Sequence, residues 1–235
     1  MAPQSAPRTA RDRARAELTR EITTTAKAHL AEHGAPGLSL RAISRDLGMV
    51  SSALYRYFPS RDALLTALII EAYDALGAAC EAAEAAVGRH DLLGRWRAVA
   101  HATRGWARAH PHEYALIYGT PVPGYAAPTD TIDPAGRVAL LLLALIVDMD
   151  LAGIPAPTTS LPVGDSLAAQ LDNLTATVDI EVDPDRLLQG IGGWVLTFGM
   201  INFELFGTFN NVFDDADELH AYQVDLMASH LGLIQ

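Results

Sequence analysis

Between Leu18 and Phe58 apolar residues recur every three or four positions, and glycine cuts the run twice, which fits three helices, the second and third very short. Leu18, Ile22, Ala26 and Leu30 share one face of a helix expected over about 11–33, and Gly34 stands where it ends. Ser39 can accept a hydrogen bond from a helix's first turn and precedes Leu40, Ile43 and Leu47, the inward positions of a second helix that Gly48 closes. Gly48 supplies the positive φ that a tight interhelical turn requires, and Ser51 then opens a third helix carrying Leu54 and Phe58. Pro59 and Ser60 interrupt the pattern before a long helix through Leu65, Ile69, Ala72, Leu76 and Cys80. Further helices are expected near 91–109, 111–118, 134–152, 163–178, 184–210 and 214–232, with mobile, Pro-rich loops at 119–133 and 153–162. Sustained period-2 alternation is missing throughout, so the expected fold class is all-α.

The chain has 235 residues, half of them hydrophobic, and can bury a sizeable core in one or two domains. Its formal net charge of -11 argues at first against a polyanionic partner. The distribution reverses that reading. Residues 1–62 carry ten Lys/Arg and six Asp/Glu, whereas the remainder carries seven and 22. A basic head on an acidic body would approach a phosphate backbone head first. The lone Cys80 excludes an intramolecular disulfide, and the Arg-rich N-terminus has no apolar run like a signal-peptide core, so a cytoplasmic protein is expected. The apolar run 138–147 is too short to span a bilayer, and 187–203 contains Gln189, Asn202 and several glycines, so no membrane partner is expected.

The stretch LSLRAISRDLGMVSSALYRYFPSRDALL, residues 38–65, resembles the DNA-binding signature of the TetR family along its whole length. The matching residues are Ala42 and Ile43, Gly48 at the turn, Ser51 after it, the run Leu54-Tyr55-Arg56-Tyr57-Phe58, and Ser60-Arg61. The physical reading agrees: Leu54 and Phe58 anchor a recognition helix from behind, leaving Val50, Ser51, Ser52, Ala53, Tyr55, Arg56 and Tyr57 to face a groove or a backbone. Short Ser and Ala suit close approach to base edges, Val50 or Ala53 a thymine methyl, and Tyr hydroxyls and Arg phosphates. The resemblance implies that Tyr55, Tyr57 and Arg61 grip the backbone and that Ser39 donates at the start of the second helix; relatives often carry Lys where this chain has Arg61. It also implies three parts: a basic flexible arm over 1–14, a helix-turn-helix DNA-binding domain over 15–60, and a helical effector-binding and dimerisation domain over 61–235 reached through the long helix. Arg8, Arg11, Arg13 and Arg15 could add minor-groove or phosphate contacts from the arm.

In the body, IGGWVLTFGMINFELFGTF, residues 191–209, is apolar on both sides at 100° per residue. Trp194, Phe198, Ile201, Leu205 and Phe209 lie on one side, and Gly192, Leu196, Gly199, Phe203 and Gly207 on the other. A helix apolar all round is buried twice, once in its own core and once against a partner. The stretch is also similar to the C-terminal signature of the WHG-type TetR subfamily, with Phe198 where that signature has His. The dimer face expected is Gly192, Leu196, Gly199, Phe203 and Gly207 with Leu219, Tyr222 and Leu226 of the last helix, because only a twofold dimer reads two half-sites about 34 Å apart. The family resemblance further implies repression of a double-stranded DNA operator, relieved by a small, largely apolar effector of unknown identity. Its expected lining is Trp96, Thr103, Tyr114, Tyr118, Met149, Trp194, Phe198 and Asn202.

Fragments suggestive of chemistry are sparse. His29 and His33 have a zinc-compatible i,i+4 spacing, His110-Pro111-His112-Glu113 clusters possible ligands, and Asp148-Met149-Asp150 has a metal-binding look, but each also reads as an ordinary helix end. Catalytic residues, metal and cofactors are therefore expected to be none. The competing class is a helical ligand-binding protein or enzyme that retains the N-terminal fold; the charge split favours the DNA-binding regulator.

Overall fold

The computed structural model describes residues 9–155, 161–213 and 215–234, and among these the chain forms ten α-helices, two short 3-10 turns and no strand. Residues 1–8, with Arg8 of the expected arm, and 156–160 of the second Pro-rich loop lie outside the described residues. The helices divide between two compact units, 1–72 with 112–131 and 73–111 with 132–235.

The first unit contains α1 (Ala10–His33), α2 (Leu40–Asp46), α3 (Ser51–Leu54), the opening of α4 (Arg61–Ala85) and most of α6 (Pro111–Tyr118). α1 starts earlier than expected because Thr9 and Asp12 form a reciprocal capping box, Thr9 Oγ1 accepting from the Asp12 amide at 3.2 Å. Residues 10–14 of the expected arm, with Arg11 and Arg13, are thus helical, as is Arg15. Gly34 (φ +66°) and Gly48 (φ +64°) take the left-handed backbone that the two turns need. The core joins Ile22 and Ala26 of α1, Leu38, Leu40 and Ile43 around α2, Leu54 and Phe58, and Leu64, Leu65 and Leu68 of α4. Leu116, Val122 and Tyr125 pack onto it, and the Tyr125 and Thr66 hydroxyls lie 2.9 Å apart.

The third helix is shorter than its sequence suggests. Beyond Leu54 the bonding turns irregular, Arg56 donating to Ala53 at 3.3 Å while Tyr57 and Phe58 both donate to Leu54, at 2.8 and 3.0 Å. Pro59 offers no amide to continue the helix and disfavours helical geometry at Phe58, so the segment ends in a turn.

The second unit contains the remainder of α4, then α5 (Leu92–Ala109), α7 (Ile132–Leu151), α8 (Asp165–Thr177), α9 (Pro184–Leu205) and α10 (Ala216–His230). α5 packs on α7, α9 and α10, and α7 packs on α9. Two glycines make the approach of α9 possible: a Cβ on Gly190 would lie 2.8 Å from Ile146, and one on Gly193 would lie 2.8 Å from the Trp96 ring. The Trp96 indole N–H donates to the Val224 carbonyl at 2.9 Å, satisfying the polar tip of a buried ring. Cys80 is wholly buried, its Sγ 3.3 Å from Thr103 Oγ1, and burial raises its thiol pKa.

Arginine–carboxylate forks tie these helices together. Arg104 reaches both oxygens of Glu204 at 2.7 and 2.8 Å and Asp217 at 2.6 Å, linking α5, α9 and α10. Arg97 grips Asp225 at 2.7 and 2.9 Å, and Arg137 joins α7 to Glu81 and Asp74 of α4. Arg95, 1% exposed, contacts Glu84 at 2.5 Å and Asp148 at 2.8 Å. Arg186 is fully buried and donates to the carbonyls of Leu231 and Ile154.

Among the described residues one helix, α4, is long and apolar enough to cross a membrane, and it is neither of the segments that hydropathy in the sequence pointed to. Leu64, Leu65, Leu68, Ile69, Ala72, Leu76 and Cys80 on it are buried inside the protein, so packing accounts for its apolarity.

Candidate functional site

Ser52, Tyr55 and Arg56 stand at i, i+3 and i+4 from the start of α3 and are exposed, with Val50, 71% exposed, just ahead of them. Leu54 and Phe58 are buried behind this stripe, which fixes its direction. Ser51 and Ala53 are half-buried at the edge. The Ser51 and Ser44 hydroxyls lie 3.0 Å apart, and the Met49 amide donates to the Ser44 carbonyl at 2.8 Å, so α2 locks the turn that presents α3. Ser39 is exposed and its Oγ accepts from the Ala42 amide at 3.4 Å, capping α2.

Two expected backbone-gripping residues also have work inside the unit. Tyr57 is half-buried under the guanidinium of Arg15, whose carbon lies 5.2 Å from the ring centroid. Arg61 donates to the Ala35 carbonyl at 2.7 Å and so braces the turn between α1 and α2. Arg41 and Arg45, exposed on α2, add positive charge to the same unit and were not singled out from the sequence; the uneven basic content of the head was the available signal.

The possible metal ligands are engaged elsewhere. His29 Nε2 lies 2.6 Å from Asp46 Oδ2, joining α1 to α2. The His110 ring lies against Trp106, centroids 5.1 Å apart, and Asp148 pairs with Arg89 and Arg95.

The residues of the expected effector lining are divided between the two units. Tyr114 and Tyr118 belong to the first unit, where their rings lie 5.2 Å apart and burial raises the Tyr114 pKa. Trp96, Thr103, Met149 and Phe198 are buried in the core of the second unit, and Asn202 is half-buried with its buried side-chain oxygen unpaired. A cavity of about 280 Å³ lies instead between α7, α8 and α9, lined by Ala139, Leu140, Leu142, Leu143, Ile146, Leu174, Val178, Leu187, Gly190, Ile191 and Trp194. Of the residues picked out by sequence, Trp194 alone lines it. Aromatic spacing cannot separate a core-filling ring from a pocket wall, and the aliphatic residues of α7 and α8 carried no distinguishing mark.

The outward side of α9 is apolar and bare. Gly192 is exposed, and a Cβ on Gly192 or Gly199 would meet no atom within 4 Å, in contrast to Gly190 and Gly193. Phe203 is 50% exposed, Val195 and Phe206 are exposed as well, and Tyr222 of α10 is 66% exposed. Leu196, Leu219 and Leu226 are half-buried. Gly207 departs from the expectation: α9 ends at Leu205, and Gly207 follows the cap residue Phe206 with φ +80°, so it serves the turn and not the helix face. Near α10's inner side His220 is buried, its ring centroid 5.3 Å from that of His101. Burial, with the positive charge of Arg104 and the neighbouring His101, pushes the His220 pKa down to about 4.

Residues 22–68, which contain α2, the turn and α3, match the family described as bacterial regulatory proteins, tetR family, and residues 96–227 match the tetracyclin repressor-like C-terminal domain. The chain belongs to the TetR family. TetR-family members are DNA-binding transcriptional regulators. HTH-type transcriptional regulator Rv1816 of Mycobacterium tuberculosis is 37% identical over 206 residues, spanning 83% of this chain and 84% of that protein. The regulator Mb1846 of Mycobacterium bovis matches equally well, 37% identical over the same 83% and 84%. SCO4313, assigned as a regulatory protein, superposes with a TM-score of 0.77 at 33% identity, over 95% of this chain and 100% of that one. The TetR-family regulator PfmR of Thermus thermophilus shares the fold, with a TM-score of 0.60 at 19% identity over 91% and 99% of the two chains.

Proposed function

We propose that this TetR-family regulator acts as a homodimeric repressor, bound to a palindromic operator through α3 and released by a small, largely apolar effector. The observation that carries the DNA-binding part is the exposed stripe of Val50, Ser52, Tyr55 and Arg56 above the buried Leu54 and Phe58. In this reading Val50, Ser51, Ser52 and Ala53 approach base edges, while Ser39, Tyr55, Arg56, Tyr57 and Arg61 hold phosphates. The half-buried state of Tyr57 and Arg61 fits that use, because a side chain already fixed by Arg15 or Ala35 loses little freedom on meeting a phosphate. Arg11, Arg13, Arg41 and Arg45 supply the surrounding field.

Self-association uses the outward side of α9, with Gly192, Leu196, Gly199 and Phe203, and Tyr222, Leu219 and Leu226 of α10. Open glycines beside exposed Phe203 and Val195 suit close packing against a second helix, which those side chains would otherwise leave facing water. The protein works in the cytoplasm, where its operator lies, and its acidic body discourages non-specific contact with DNA.

Two measurements test this. A mobility-shift series with fragments from the gene's own upstream region should give a discrete, strongly salt-dependent complex, and Arg56→Ala, which removes one contact from each protomer, should lower the slope of log K against log salt by about 2. Sedimentation equilibrium should give a dimer that Val195→Glu converts to a monomer. A complex no tighter than that on unrelated DNA would sink the operator reading, and a wild-type monomer at operator-binding concentrations would sink the twofold one.

A further inference from the structure

The cavity between α7, α8 and α9 has a chemical character of its own. Its walls carry no charged side chain, and the indole N–H of Trp194 is the one polar side-chain group on them. Water entering such a place finds almost no hydrogen-bond partner on the walls, so an apolar occupant that displaces it is favoured. At about 280 Å³ it sits just below the range of about 300–1,000 Å³ typical of drug-sized ligands, which favours a small occupant. Leu140, Leu174 and Trp194 are each exposed in part, so the cavity has a mouth. Gly190 keeps its floor narrow by letting α9 close on Ile146.

We propose that this cavity is the effector site, and that it takes an uncharged, predominantly hydrocarbon molecule such as a fused aromatic ring or a short alkyl chain, with at most one acceptor directed at the Trp194 N–H. The inference rests on the reading of the chain as an effector-controlled regulator, and it assigns the site to α7, α8 and α9 and not to the buried ring cluster around Trp96 and Phe198. A carboxylate or ammonium finds no partner here, and burying one unpaired is costly, so the site discriminates by charge before shape. Trp194 lies on α9 next to Val195, which points outward on the proposed dimer face. A molecule seated against Trp194 therefore acts on the helix that would meet the second copy.

The test uses the full-length protein and two probes of nearly equal shape, naphthalene and 2-naphthoate, followed by calorimetry. Naphthalene should bind saturably, one per chain, and 2-naphthoate at least tenfold more weakly. Leu174→Asp, which puts a charge at the mouth where the fold tolerates it, should weaken naphthalene at least tenfold; Leu143→Trp, which fills the space, should do the same. Trp194→Phe should retain naphthalene binding within a few-fold. Equal affinity for the two probes, or naphthalene binding indifferent to both Leu174→Asp and Leu143→Trp, overturns the assignment. Naphthalene binding that disappears as protein concentration drives self-association also overturns it, giving the cavity to the second copy. Operator binding by the unliganded protein is measured in parallel: failure of the probes with an intact operator complex removes the cavity proposal alone, whereas loss of the operator complex removes the regulator reading itself.

Discussion

In the first unit the core is mostly aliphatic around Phe58, and several hydroxyls serve helix ends: Thr9, Ser39 and Ser60 cap, and Ser44 meets Ser51 at the turn. In the second unit arginines run through the packing, and Arg95, Arg104 and Arg186 are all buried. Caps act locally, each on one helix, and can be read from three or four consecutive residues. Forks such as Arg104 with Glu204 and Asp217 act between helices a hundred residues apart, and they specify which helix neighbours which. A small helix-turn-helix unit needs three helices in fixed register; a body with the proposed effector space and partner face needs its long helices pinned laterally.

The contrast would be sharpened most by Arg95→Met. It leaves the partly buried Glu84 and Asp148 with only the more exposed Arg89 as a cation, and should cost up to about 3–5 kcal/mol in denaturant unfolding. A loss under 1 kcal/mol would mean that the body relies on its apolar contacts as the head does.

Acid should strike the body next. His220 titrates at about 4 in the folded chain against an ordinary 6.5, so the unfolded chain takes up a proton first. Stability is then complete above pH 6.5 and falls as pH drops toward 4. The groups around it are His101 and Arg104 of α5, Glu204 of α9 and Asp217 of α10. Thermal midpoints across that interval should fall less steeply for His220→Gln than for the wild type; identical slopes would remove His220 from the account.

Gly193→Ala, pressing a methyl onto Trp96, should cost about 1–3 kcal/mol of stability, whereas Gly192→Ala, measured in the monomeric Val195→Glu background, should be neutral or gain up to about 1 kcal/mol from helix propensity. Equal effects on unfolding midpoints would erase the distinction between the inner and outer sides of α9. Smallest is Ser39→Ala in the head. Its cap bond is long at 3.4 Å, so about 0.5–1 kcal/mol is expected, visible as a modest shift in midpoint with unchanged m-value.

This division also governs what could be read in advance. The head was legible because its determinants are local: the Leu54 and Phe58 anchors, the turn at Gly48 and the cap at Ser39 each depend on near neighbours in the chain. The apolar outer side of α9 was legible too, since Gly192, Gly199 and Phe203 repeat at helical spacing. What escaped was nonlocal. Nothing in the sequence around Leu116, Val122 and Tyr125 announces that residues 112–131 join the head. The Ala35 carbonyl that occupies Arg61 and the choice of Glu204 for Arg104 are fixed by three-dimensional proximity. The end of α9 at Leu205 was missed because Phe206 and Phe209 continue the apolar pattern past the left-handed Gly207, where the rings of Phe203, Phe209 and Phe213 stack edge to face.

Cys80 is the chain's single thiol, sealed in the body and hydrogen-bonded to Thr103. A thiol-specific dye can reach it only when the surrounding helices part. Labelling kinetics would thus serve as a native clock for transient opening, requiring no engineered reporter, and protection by a bound hydrocarbon could be timed directly against operator release.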